Sequence, residues 1–161
     1  MNNKIPKSIT KKPSALAVVL SIISVVIWVP HTLPFFTNVH GVQTIYAIAL
    51  LPIGIASFFF AYYSGLTIAK LSYGIAKKHY MFWAYFWQIV INVVCIIICT
   101  ILEITLAGNP IKMCFDICAE VKISTAIICY CIFTTIILLP SYFAISRYFK
   151  YAKKYHLPKP S

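Results

Sequence analysis

The chain has 161 residues, of which 61% are hydrophobic and 11% charged, with a net charge of +11 and a mean hydropathy of +0.86. Soluble domains carry about a quarter charged residues, so a chain this short cannot hide so much apolar surface in water, and no soluble catalytic domain fits beside it. The basic residues stand in clusters between long apolar runs rather than along a face with exposed aromatics, which excludes nucleic-acid binding and reads as a membrane-topology signal.

Residues 1–13 are polar and basic, with Lys4, Lys7, Lys11 and Lys12 flanked by Pro6 and Pro13. Residues 14–69 contain no charge, which is room for two spans of about 20 residues each. Pro30, Pro34, Asn38, His40 and Gly41 interrupt the run, as turn formers do. The pattern predicts a first helix from 15 to between 29 and 36, an outer loop at about 30–41, and a second helix over 42–69. No small-x-small cleavage site follows the first apolar run, where Ile27, Trp28, Val29 and Pro30 stand, so that run is expected to stay as an uncleaved anchor. Pro52 predicts a kink in the second helix.

A basic connection at 70–80 follows, with Lys70, Lys77, Lys78 and His79. The third helix is predicted over 81–106. Its start is aromatic, from Tyr80 through Phe82, Trp83, Tyr85, Phe86 and Trp87, as at a membrane interface. A second outer loop is expected at 107–122 and a fourth helix at 123–145, with Pro140 near its inner end. The tail carries Arg147, Lys150, Lys153, Lys154 and Lys159. Twelve of the fourteen Lys and Arg residues lie in the two tails and the 70–80 connection, leaving Lys112 and Lys122 for the other side. By the positive-inside rule both termini are cytoplasmic. The acids Glu103, Asp116 and Glu120 all fall at or beyond the outer end of the third helix. The expected fold is a single all-α membrane domain, a polytopic bundle of four transmembrane helices.

Three chemistries could rest on particular residues. Cys95 and Cys99 lie four apart in the third helix, Cys114 and Cys118 four apart in the second outer loop, and Cys129 and Cys131 in the fourth helix. A membrane thiol oxidoreductase needs a reactive pair presented outside, usually as C-x-x-C. The C-x-x-x-C spacing here favours helix filler, with one disulfide possible between Cys114 and Cys118 in an oxidising compartment. His31, His40, His79 and His156 form no i, i+4 pair, so no metal or other cofactor is expected. Glu103, within the apolar third helix, is costly at membrane depth and a functional candidate by default. It shares a face with Asn92, eleven residues earlier, while Gln88 belongs to a different part of that surface. A small proton-coupled transporter would want its acid nearer the bilayer centre.

The run Glu103-Ile104-Thr105-Leu106-Ala107-Gly108-Asn109-Pro110-Ile111-Lys112 resembles the end of the third helix and start of the second outer loop in immunity proteins against pore-forming colicins of the colicin A type. The four-helix layout and the basic ending Arg147-Tyr148-Phe149-Lys150 are similar to theirs as well. The resemblance implies a non-enzymatic protein of the bacterial inner membrane, with no cofactor. It would bind the pore-forming domain of a bacteriocin within the bilayer, in contact with membrane lipid, and block channel opening. It points to Glu103, Thr105, Lys112, Asp116 and Glu120 as recognition residues. Gly54, Ser57, Ser64 and Gly65 would permit close helix approach, to the toxin or within the bundle itself.

Overall fold

The computed structural model describes residues 6–32, 42–76, 78–107 and 123–158, with side-chain surroundings for 6–29, 50–76, 78–102, 128 and 130–158. Those residues are helical apart from short connections, and contain no strand. A four-residue helix α1 (Lys7–Thr10) precedes four long ones: α2 (Ala15–Thr32), α3 (Val42–Ile75), α4 (Tyr80–Ala107) and α5 (Ile123–Tyr155). Three of them are long and apolar enough to cross a membrane, over Leu50–Ile75, Tyr80–Leu102 and Tyr130–Tyr155; the apolar stretch Ala15–Val29 of α2 is shorter.

Pairwise contacts set the topology. Ser14, just before α2, meets Thr67, and Trp28 farther along α2 meets Gly54, so α2 and α3 are antiparallel. Tyr85 stacks on Tyr142, and Asn92 donates to Thr135 at 3.5 Å, so α4 and α5 are antiparallel. Gly65 crosses the backbone of Ser141 and Tyr73 meets Tyr148, so α3 and α5 run parallel. α3 packs chiefly against α5 and α2, with α4 at the periphery.

α3 continues six residues beyond the predicted end at 69, and α5 ten beyond 145, so the connection shrinks to residues 76–79. The first charge after an apolar run does not stop a helix whose main-chain bonds can continue. Lys70 shows how this happens. It is buried in α3, and its ammonium donates to the carbonyls of Ser8 (2.8 Å) and Lys11 (2.7 Å), which ties the N-terminal segment to the bundle. Backbone helix also persists through Pro30 to Thr32, and through Pro52 and Pro140.

The described core has two parts. One, at the end where the N-terminal segment, the 76–79 connection and the end of α5 meet, joins Ile9, Leu66, Ala69, Ala84, Ile145 and Tyr148. Tyr73, Tyr80, Tyr148 and Phe149 form a ring cluster there, and the Tyr73 hydroxyl donates to the Leu157 carbonyl at 2.8 Å. The second, deeper in the bundle, joins Val25, Val29, Ala61, Cys95, Cys99, Ile137 and Leu138.

Candidate functional site

The described residues place the basic clusters together. Lys7, Lys11 and Lys12, Lys78, and Lys150, Lys153 and Lys154 are exposed at the end just described. Arg147 donates to the Tyr62 hydroxyl at 3.1 Å and lies 5.8 Å from the Tyr151 ring centre. Glu103 and Thr105 belong to the last turns of α4, at the other end, with side chains outside the described residues. Lys112, Asp116, Glu120, Cys114 and Cys118 also lie outside the described residues.

Leading up to Glu103 is the least covered helix of the bundle. Only 17% of the α4 span is buried, against 44% for each of the other two spans. Phe82, Phe86, Ile89, Val93, Ile97 and Ile101 are all exposed. Their spacing of three and four residues puts them on one stripe along the helix. The opposite seam of α4, at 88, 92, 95 and 99, faces inward: Gln88, Cys95 and Cys99 are fully buried and Asn92 partly so. Gln88 therefore shares the face of Asn92, contrary to the expectation that it lies elsewhere. The two are one helical turn apart, which is the closer relation on a helix surface.

Gln88 is the polar residue that sequence reasoning undervalued. Its position follows from the register of α4 on α5. Tyr85 meets Tyr142 and Asn92 meets Thr135, so Gln88 is level with Leu138–Ser141. Neither its amide nitrogen nor its oxygen has a hydrogen-bond partner among the described residues, and the hydroxyls of Ser21, Ser64 and Thr134 are buried in the same condition. Ser57, Thr67, Thr100 and Thr135 instead donate to the carbonyl four residues earlier in their own helices, the usual relief for a hydroxyl in an apolar helix. A buried amide without partners costs about 1–3 kcal/mol. The signal was a lone Gln inside an apolar run, and its meaning depended on the neighbouring helix.

The small residues of α3 are used within the bundle. Ser57, Ser64 and Gly65 are buried, and a Cβ on Gly65 would lie 2.2 Å from the Ser141 carbonyl oxygen. Gly54 faces the Trp28 indole in the same way. These positions serve contacts between the protein's own helices. Cys95 and Cys99 are free thiols packed in the core, surroundings that keep a thiol unreactive. No group of three or more metal-ligating side chains occurs among the described residues. No known protein family, curated protein or solved structure matches the chain.

Proposed function

We propose that the chain is a four-span protein of the bacterial inner membrane, with both termini in the cytoplasm, that binds the pore-forming domain of a bacteriocin within the bilayer and blocks channel opening without catalysing a reaction. The observation that carries this reading is the exposed stripe of α4 from Phe82 to Ile101, which runs directly into the Glu103–Lys112 run that resembles colicin immunity proteins. A helix held by the bundle along one seam presents the other to lipid or to a second helix. Recognition between helices in a bilayer rests on packing and polar contacts. The stripe supplies the packing, and Glu103, Thr105, Lys112, Asp116 and Glu120 are proposed to select among toxins by charge.

The test is survival of toxin-sensitive bacteria expressing the chain and challenged with a panel of pore-forming and nuclease colicins. Selective survival against one or two pore-formers is expected. In the same assay Val93→Trp with Ile97→Trp, which reshapes the stripe without touching the buried seam, should lower protection at least tenfold at equal membrane abundance. Equal killing by every colicin would move the weight to a second reading. That reading, a small membrane transporter, is favoured by the buried, unpartnered amide of Gln88, which suits a polar pathway through the bundle better than a passive core.

A further inference from the structure

We infer that the groove between α2, α3 and α4 at the basic end is a binding site for an anionic glycerophospholipid, with an acyl chain along the groove and the phosphate among the cations at its mouth. The groove has a volume of about 640 Å³, within the usual range for ligand sites. Ile75 and Ser72 form its α3 wall and Trp83 and Trp87 its α4 wall, while Val18 of α2 and Ile91 close its deep end. From Trp83 to Ile91 is eight residues of helix, so the channel runs about 12 Å along the helix axis. Its lining is apolar apart from Ser72 and the two indole N–H groups, which suits a hydrocarbon chain and not a free polar metabolite. Each methylene placed there adds to affinity.

The mouth supplies the other half of the ligand. Ala76 lines it, and the chain continues at once to Lys78 and His79, both exposed. Lys11 and Lys12, also exposed, precede the helix that carries Val18. The acids Glu103, Asp116 and Glu120 all come after the start of the last turns of α4, so none adjoins this end in sequence. An apolar channel whose lining residues are followed or preceded within a few positions by exposed cations matches an anionic amphiphile, and basic pockets between membrane helices bind such headgroups. Trp83 and Trp87 are amphipathic rings of the kind that favour headgroup level. The groove adjoins the exposed stripe of α4, since Phe82 and Phe86 contact the Trp83 and Trp87 rings that line it.

The measurement is native mass spectrometry of the full chain, purified in mild detergent and offered equal amounts of dioleoyl phosphatidylglycerol and dioleoyl phosphatidylcholine. Retention of one phosphatidylglycerol is expected, with a preference of about fivefold or more, since each nearby cation contributes about that factor. Lys12→Gln with Lys78→Gln should bring the ratio towards one while lipid is still retained. Ala76→Phe and, separately, Ser72→Phe should reduce retention of both lipids. Excess glycerol phosphate should not displace the bound lipid, because the channel and not the phosphate alone holds it. Equal retention of the two lipids by the unaltered protein would overturn the proposal, whether or not a plugged variant folds. So would displacement by glycerol phosphate, full lipid retention in both plugged variants at unchanged helicity, or a second protein chain retained in place of lipid.

Discussion

His156 holds the end of α5 in a conformation that favours glycine. Its φ is 45°, and the Leu157 N–H donates to the Ala152 carbonyl at 3.3 Å. This is the six-to-one bond of a helix end with a left-handed residue after the cap. The turn directs Leu157 back onto the core that contains Ala152 and leaves its carbonyl to accept from Tyr73. A side chain in this backbone region costs about 1 kcal/mol or a little more. His156→Gly should therefore stabilise the protein by about 1 kcal/mol, read as a higher midpoint in thermal unfolding in detergent. His156→Val should lower the midpoint, because a β-branched side chain fits the left-handed region worst. Lys70 works at the same scale in the opposite sense. It is a charge in an apolar surrounding that stays in place because two carbonyls of the N-terminal segment accept hydrogen bonds from its ammonium.

Among the elements, α3 is the one most constrained by its neighbours, and its two glycines are not equivalent. A Cβ on Gly65 would meet backbone atoms of Ser141, at 2.2 Å from the oxygen and 2.6 Å from Cα. α3 and α5 would have to separate. A Cβ on Gly54 would meet only the Trp28 side chain, at 2.4 Å from Nε1, and an indole can turn. Gly65→Ala should destabilise by about 2–3 kcal/mol, in the upper part of the overpacking range, and Gly54→Ala by about 1 kcal/mol. Denaturant unfolding of the two variants in one detergent checks the order, and equal losses would count against a backbone-to-backbone crossing at Gly65. The helices were legible in the sequence because apolar runs of about 20 residues separated by polar breaks have few other solutions. Their inner ends were not, since the first charge after an apolar run, Lys70 or Arg147, reads as a terminator although the helix continues past it. A carbonyl pair from a distant segment satisfies one, and the Tyr62 hydroxyl with the Tyr151 ring the other. The inward face of α4 was misjudged at Gln88 because periodicity orders residues around an axis without saying which side the neighbour occupies. Of the proposed recognition residues, only Glu103 and Thr105 fall on described helix, so the sequence resemblance still carries that part of the site.

At the scale of the whole molecule, charge and packing agree on one polar axis. Lys70 bonds to Ser8 and Lys11, Tyr73 bonds to Leu157, and Tyr73 contacts Tyr80 and Tyr148. These contacts bring the N-terminal segment, the 76–79 connection and the end of α5 to the same end, which in the proposed topology is cytoplasmic. α2 decides whether the number of spans is three or four. It has 18 helical residues, about 27 Å of helix, slightly less than the roughly 30 Å hydrocarbon core. Its pairing with α3 argues that it crosses. It starts beside Thr67, and at Trp28 it reaches Gly54, thirteen residues or about 20 Å farther along α3. Modest thinning of the bilayer accommodates such a shortfall at low cost. Fusions in bacteria test this directly. Alkaline phosphatase inserted after Asn38 or after Asn109 should be active, as in the periplasm, and a fluorescent protein joined after Ser161 should fluoresce, as in the cytoplasm. Asn38 and Asn109 flank the two spans of α3 and α4 and must report the same side, so α2 is read from the N-terminus: a fluorescent protein joined before Met1 should fluoresce, and a dark one beside active phosphatases at Asn38 and Asn109 would put the N-terminus in the periplasm, and the four-span topology would give way to three.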